Sequence, residues 1–163
     1  MADSRTKNKL TMVVFSGELD RALAAFIIAT TAASMSIEVT MFFTFWGLNI
    51  IKKNEGSLHG KGWMRKMLNM MNRGGTKRLA MSKLNMMGMG TAMMKKMMKQ
   101  TNMLSLDELI ALAKESGVKM IACTTTCGLM GLEDPDFRPE VLTSAGAAFF
   151  LGEAKESFTT LFI

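Results

Sequence analysis

The sequence predicts an α/β fold: a three-layer sandwich with a mainly parallel five-stranded sheet and a helical, Met-rich insert. Two observations predict it. Short apolar runs alternate with helical segments along the chain, and the first of these runs is apolar without a polar alternation, as in a strand buried on both faces. With 163 residues, 48% of them hydrophobic, the chain suits one domain spanning 1–163 and is too short for two substantial ones.

The first two strands are predicted from composition. Leu10 to Phe15 is a continuous apolar run, Ser16 to Glu18 breaks it, and the Ala-rich segment Leu19 to Ser34 is typical of a helix. Ile37 to Phe43 is rich in β-branched and aromatic residues and is predicted as the second strand, which ends at Thr44 to Gly47.

The second half of the chain repeats this alternation. Ser105 followed by Glu108 forms a capping box that predicts a helix through Ser116, with Gly117 just beyond its end. The remaining predicted elements are a strand over Val118–Cys123, a short helix ending near Leu132, a strand around Val141–Ala145, a helix over Ala147–Ser157 and a strand over Thr160–Ile163.

Charge and methionine are concentrated in an insert at about 52–103. Residues 52–100 contain twelve Lys or Arg and one acid, a net charge of +11, whereas the rest of the chain carries a net charge of −5. Thirteen of the 19 methionines lie between Met64 and Met103. The chain therefore combines a mildly acidic α/β framework with a basic, Met-rich insert.

The cysteine count and hydropathy suggest a cytoplasmic protein. Two cysteines cannot form the disulfide framework of a secreted scaffold, and the N-terminal residues show no apolar signal region. The longest charge-free stretch, Ala22 to Ile37, has 16 residues, fewer than the roughly 20 a spanning helix needs. We therefore expect a reducing compartment and no transmembrane helix, with peripheral membrane contact left open.

The predicted topology places the candidate site at one edge of the sheet. In such folds ligands bind beyond the carboxyl ends of the strands. The residues predicted at those ends are Ser16, Gly17, Phe45, Trp46, Gly47 and Cys123. Phe45 and Trp46 are candidate apolar walls for a site, with ordinary core packing as the alternative for each.

Cys123 is the candidate nucleophile. It ends a strand and precedes the triplet Thr124, Thr125 and Thr126, whose backbone N–H groups and hydroxyls can stabilise a thiolate at a helix start. The alternative is a small buried apolar residue ending a strand.

Cys127 lies four residues after Cys123, so both sulfurs can share one helix face and act as a resolving pair. Packing within the helix is the alternative role for Cys127.

Several segments together resemble the DsrE/DsrF-like sulfur-relay family, in particular its Met-rich branch often labelled peroxiredoxin-like. The matching segments are MVVFSGELDRALAAFIIA, VTMFFTFWGLN, the Met-rich insert, IACTTTCGLMGL, SAGAAFFLGEAKES and the terminal LFI, which together cover nearly the whole chain. The most specific are the Phe-Trp-Gly cluster and Ala-Cys followed by Met130-Gly131.

The resemblance implies a parallel five-stranded subunit, assembly into homo-oligomers, and a cysteine that carries sulfane sulfur as a persulfide. Cys123 occupies the sulfur-carrying position, and sulfur donor and acceptor proteins are the implied partners. Cys127 departs from the family pattern, which leaves open whether an internal disulfide can release the sulfur.

Three interpretations of the insert remain. The insert has apolar residues at helical spacing in two places. The first set is Met64, Met67, Leu68 and Met71, and the second pairs Met93 with Met97 and Met94 with Met98. They can pack against the domain or a neighbouring subunit, dock a partner protein or an anionic membrane, or bind Cu(I) through thioethers. Nucleic acid is disfavoured because Trp63 is the insert's one aromatic platform, and His59 is expected to be a solvated loop residue.

We therefore predict a thiol carrier or sulfurtransferase acting through Cys123, without a resident cofactor or metal. The alternative is a non-enzymatic adaptor or membrane-surface protein acting through the Met-rich basic helices. Thiol-dependent peroxide reduction is disfavoured, because no Pro precedes Thr124 to Cys127 in the way such sites usually show.

Overall fold

A computed structural model describes residues 8–55, 63–64, 67 and 74–163. The strands are β1 (Lys9–Val14), β2 (Glu38–Phe43), β3 (Lys119–Cys123), β4 (Thr143–Ala145) and β5 (Thr159–Phe162). The α-helices whose bounds lie within the described residues are α1 (Leu19–Ser34), α2 (Leu48–Ile51), α3 (Met89–Gln100), α4 (Leu106–Glu115), α5 (Thr124–Met130) and α6 (Ala147–Lys155). Single 3-10 turns occupy Phe45–Gly47, Met86–Gly88 and Asp134–Asp136.

The five strands form one parallel sheet in the order β4-β3-β2-β1-β5. In the register of the central strands, Phe43 lies beside both Val14 and Ala122. The carboxyl ends of β1, β2 and β3 therefore meet at one edge of the sheet. This confirms the predicted α/β class and parallel topology.

One face of the sheet forms the main core. Alternate residues of the central strands, such as Met12, Met41 and Met120, are fully buried there in one apolar cluster with α1 and α4. The capping box predicted for Ser105 and Glu108 is present at the start of α4. Burial on this face supplies most of the apolar stabilisation of the fold.

The opposite face has a mixed chemistry and is covered by α6. Lys9 is 8% exposed, and its ammonium group pairs with the carboxylates of Glu153 and Glu156, each at 3.1 Å. Thr40 donates a 2.6 Å hydrogen bond to Glu153. Phe42 packs against Phe150 of α6, with ring centroids 5.5 Å apart. This second face therefore joins α6 to the sheet through both polar and aromatic contacts.

The elements differ from the predicted ones mainly at their ends. The helix after β3 begins directly at Thr124, with Cys123 as its N-cap residue, and it ends at Met130 instead of near Leu132. The strand predicted from Val141 begins at Thr143, and the helix predicted to reach Ser157 ends at Lys155. Element type is clear from these local patterns, whereas the terminal residue depends on packing.

The insert packs through only some of its methionines. In α3, Met98 is 7% exposed and Met94 packs against the core, but Met93 and Met97 are exposed. Packing against the core therefore accounts for the methionines on one face of α3 and not for those on the other. Met64 and Met67, from the first predicted amphipathic helix, are helical and exposed. Its other members, Leu68 and Met71, lie outside the described residues, as does His59.

Among the described residues, no helix has the length and apolar character needed to cross a bilayer. The charge-free stretch identified from sequence belongs mostly to α1, whose residues Ala22, Phe26 and Ala29 are fully buried in the main core.

Candidate functional site: the strand-to-helix junction at Cys123

The loops that follow β1 and β2 lie against each other at the carboxyl edge of the sheet. The backbone N–H of Gly47 donates a 2.8 Å hydrogen bond to the carbonyl of Phe15. A Cβ at Gly47 would clash with the carbonyl of Val14, and one at Gly17 would lie only 2.5 Å from the carbonyl oxygen of Trp46. The close approach of the two loops therefore requires glycine at both positions.

Cys123 lies at the end of β3 with its side chain on the second face of the sheet. It is 6% exposed and belongs to a small apolar cluster with Phe42 and Ile121, against which Ala145 and Phe150 pack. Alternation along β3 directs Cys123 to the same side as Ile121, where α6 covers it. The side chain is therefore buried against the second face of the sheet.

Hydrogen-bond donors surround the Cys123 sulfur on its polar side. Burial by itself raises the pKa of this thiol, but the backbone N–H of Thr126, the hydroxyls of Thr126 and Thr44, and the backbone N–H of Thr125 together lower it below its ordinary value. The two threonine hydroxyls are 2.9 Å apart. The N-terminal turn of α5 therefore stabilises a thiolate at Cys123.

Cys127 has the opposite environment, although it is 7% exposed and so nearly as buried. It packs in the main core, in the other cluster from Cys123. Burial raises the pKa of Cys127 to about 11, and the negative charges of Cys123 and Asp134 add to the shift. Cys127 is therefore a neutral thiol at physiological pH. Both cysteines are free thiols.

Three of the other predicted site residues line a separate cavity. Ser16, Gly17 and Trp46, together with Phe15, Glu18, Arg21 and Asn49, line a cavity of about 290 Å³ that does not include Cys123 in its wall. Phe45 and Trp46 are 42% and 46% exposed, so the structure excludes the alternative that they are core aromatics.

Phe45 connects that cavity to the cysteine. Its ring lies 5.4 Å from the ring of Phe15, and its backbone N–H donates a 3.5 Å hydrogen bond to Thr126 Oγ1. Thr124 is exposed, and within the described chain no hydrogen bond joins it to Cys123.

Sequence reasoning missed Thr44 and Phe150 as neighbours of the sulfur. From sequence Thr44 marks only the end of β2, yet parallel pairing of Phe43 with Ala122 places the following residues, Thr44 and Cys123, side by side. Phe150 had no comparable signal, because its contact depends on how α6 crosses the sheet.

A parallel five-stranded sheet with a buried cysteine at the junction of its third strand and the following helix defines the class: a small parallel α/β protein with a thiol at a strand end. The chain belongs to the DsrE/DsrF/DrsH-like family, whose family model matches residues 6–162.

Two curated relatives match nearly their full lengths. The uncharacterized protein YrkE of Bacillus subtilis is 43% identical over 155 residues, which cover 95% of this chain and 96% of the relative. The sulfur carrier protein DsrE2 of Allochromatium vinosum is 39% identical over 160 residues, covering 96% and 99%.

A solved structure shares the fold. The protein of unknown function MTH1491 from Methanobacterium thermoautotrophicum superposes with a TM-score of 0.57 over 95% of this chain and 98% of its own, at 9% identity. The family membership and the sulfur-carrier relative support a role in sulfur relay.

Proposed function

We propose that this protein carries sulfane sulfur as a persulfide on Cys123, as a thiol carrier or sulfurtransferase between a donor and an acceptor protein. The observation that supports this most is the donor set around the Cys123 sulfur, formed by Thr126, Thr44 and the first turn of α5. Those groups lower the pKa of the thiol although it is buried, and a buried thiol without such donors has a raised pKa.

The reaction is a pair of thiol–persulfide exchanges. The Cys123 thiolate attacks the outer sulfur of a donor persulfide, the donor's S–S bond breaks, and a new S–S bond forms on Cys123 while the donor leaves as a thiolate. An acceptor thiolate then attacks the outer sulfur of the Cys123 persulfide, and Cys123 leaves as a thiolate. No net oxidation or reduction occurs. In the second step the N–H and O–H groups of Thr44, Thr125 and Thr126 stabilise Cys123 as the leaving thiolate.

The surroundings of the sulfur suit transient storage. Phe42, Ile121 and Phe150 exclude bulk water on one side, which limits attack by competing small thiols. Phe45 lies beside the polar side, because its backbone N–H bonds to Thr126, and with the adjacent exposed Trp46 it offers an apolar contact surface to a donor or acceptor protein. A reducing cytoplasm would keep Cys123 out of disulfides, and its lowered pKa then sets how much of it is thiolate.

Cys127 is not needed for this chemistry. Its raised pKa and core packing favour a structural role over the resolving role that the spacing allows. Release of the sulfur by a Cys123–Cys127 disulfide remains a separate prediction. It requires that Cys127→Ser can be loaded with sulfur but no longer releases it.

The test is the intact mass of the reduced protein after incubation with glutathione persulfide. We expect wild type and Cys127→Ser to gain the mass of one sulfur atom, and Cys123→Ser to gain none. The two variants are matched because both thiols are about equally buried. An unmodified wild type, or a gain that persists in Cys123→Ser, would contradict the proposal.

Self-association has support from the second layer of the sandwich. Helix α6 has no buried residue, although its sequence AAFFLGEAK is largely apolar, and Leu151 is 63% exposed. Phe158, just before the edge strand β5, and Phe162, within it, are 52% and 71% exposed. A homo-oligomer would cover this apolar surface.

The second candidate function is that of an adaptor acting through α3. Met89, Met93 and Met97 form an exposed stripe at helical spacing, and Lys96 and Lys99 lie beside it. Such a surface suits a partner protein or an anionic membrane. Co-sedimentation with anionic liposomes tests the membrane case, and the absence of binding at low salt would remove it.

A further inference from the structure

The largest cavity among those described lies away from Cys123, between the Met-rich insert and the start of α4. Its volume is about 660 Å³, within the range typical of small-molecule sites. None of its lining residues belongs to the candidate sulfur site. The lining consists of Leu19, Thr76, Lys77, Lys95, Met98, Lys99, Asn102, Met103, Leu104, Ser105, Leu106, Asp107 and Glu108.

The floor of this cleft is apolar and buried. Leu19, Met98 and Leu106 are 2%, 7% and 4% exposed, and they join the insert to the main core. At the rim, Met103 and Leu104 remain 39% and 43% exposed. An apolar chain or ring lying in the cleft would cover these rim side chains.

One wall of the cleft is cationic. Lys77 and Lys99 are exposed. The Lys95 ammonium donates a 3.1 Å hydrogen bond to the carbonyl of Lys77, and this bond holds Lys95 in the same wall. Within the described chain, no carboxylate lies at ion-pair distance from any of the three.

The acidic side chains that line the cleft are already held by other groups. Asp107 pairs with Arg138 and accepts a 2.9 Å hydrogen bond from Thr76; against the effect of burial, these two bonds lower its pKa, and the charge of nearby Lys77 adds to the lowering. Glu108 accepts 2.7 Å hydrogen bonds from the backbone N–H and the hydroxyl of Ser105 in the capping box. The lysines therefore set the charge preference of the cleft, and an anionic group would lie against them.

We propose that this cleft binds an amphipathic organic anion, a single-chain carboxylate whose charged head lies on the Lys77, Lys95 and Lys99 wall and whose apolar chain covers Met98, Met103 and Leu104. The site is independent of Cys123 and assigns the protein a second, small-molecule ligand. Its location gives the Met-rich insert a role in ligand binding, because α3 supplies two of the three cations, Lys95 and Lys99, and part of the apolar floor.

The test is isothermal titration of the full chain with decanoate, using matched pairs of variants. Lys99→Gln and Met103→Gln alter the cleft, whereas Lys96→Gln and Met93→Gln change exposed residues of the same types on α3 outside it. We expect saturable one-to-one binding that weakens about fivefold in the first two variants, as for loss of about 1 kcal/mol, and is unchanged in the second two. Decylammonium, which has the same chain and the opposite charge, is expected not to bind.

Three results would overturn the proposal. Decanoate that shows no saturable binding would remove the site. Equal weakening by the cleft and control variants would indicate adsorption to the exposed methionines. An acidic amphipathic peptide or anionic vesicle that binds where decanoate does not would reassign the surface to docking of a macromolecule.

Discussion

Cys123 and Cys127 lie at the two ends of the first turn of α5, and their identical side chains have opposite environments. Cys123 and Cys127 are separated by four residues and are 6% and 7% exposed, so burial does not distinguish them. Cys123 lies on the α6 face of the sheet among N–H and O–H donors, and its pKa is lowered. Cys127 lies in the apolar main core, and its pKa is raised to about 11. Local hydrogen bonding, not exposure, decides which thiol ionises.

The largest expected effect is on stability at alkaline pH. The folded state raises the pKa of Cys127 from 9.0 to about 11. The stability contributed by its neutral thiol is therefore fully present below pH 9 and lost as the pH rises towards 11. From pH 8 to 10.5 we expect wild type to lose about 2 kcal/mol more unfolding free energy than Cys127→Ala, measured by urea denaturation.

Cys123→Ala is the control for this measurement, and its effect should have the opposite sign. Because the fold lowers the pKa of Cys123, its thiolate contributes stability that increases as the pH rises. Parallel pH profiles for wild type and Cys127→Ala would show that the two cysteines do not differ as proposed.

The next effect is on alkylation rate. Chains with Cys123 alone (Cys127→Ser) and Cys127 alone (Cys123→Ser) are compared at pH 7.5 with iodoacetamide under native conditions. The thiolate population favours Cys123 by about 100-fold or more, and the lower nucleophilicity of the less basic thiolate offsets roughly tenfold of this. We expect Cys123 to react at least about tenfold faster. Equal rates would mean that access, not ionisation, controls both thiols.

The smallest effect tests the donors themselves. Thr126→Val removes the hydroxyl that bonds to Cys123 and to Thr44 but keeps the backbone N–H. The pH midpoint of Cys123 alkylation is expected to rise, since a hydrogen bond to a charged group contributes about 1.5–3 kcal/mol net and Thr126→Val removes one such bond to the thiolate.

Thr125→Val is its matched control. Thr125 acts on Cys123 through its backbone N–H and its side chain is exposed, so its substitution should leave the midpoint unchanged. An equal shift in both variants would point to a general change in α5 and not to the Thr126 hydroxyl.

Much of the framework could be predicted from local patterns. The apolar run at Leu10, the capping box at Ser105 and the strand ending at Cys123 each depend on residues close together in sequence, and each element formed as predicted. The carboxyl-edge location of Ser16, Gly47 and Cys123 also followed, because parallel topology brings strand ends together whatever the details of packing.

Other features of the site required tertiary contacts. The burial of Cys123 on the α6 side could not be predicted from sequence, since Phe150 reaches the cysteine from a helix whose crossing angle no local pattern encodes. The cleft between α3 and α4 escaped the sequence analysis for the same reason. It combines Leu19 with residues 76–108, which lie far apart in sequence.

By itself the sequence determined the alternation of strands and helices, the parallel sheet and the position of Cys123 at a strand end, because hydrophobic periodicity and capping act over a few residues. Only the tertiary structure decided which cysteine is stabilised as a thiolate. That choice depends on the face of the sheet each sulfur meets, and on the pairing of Thr44 with Thr126 across 82 residues of chain. A hydrogen bond between distant segments exists only once the sheet has brought them within 3 Å.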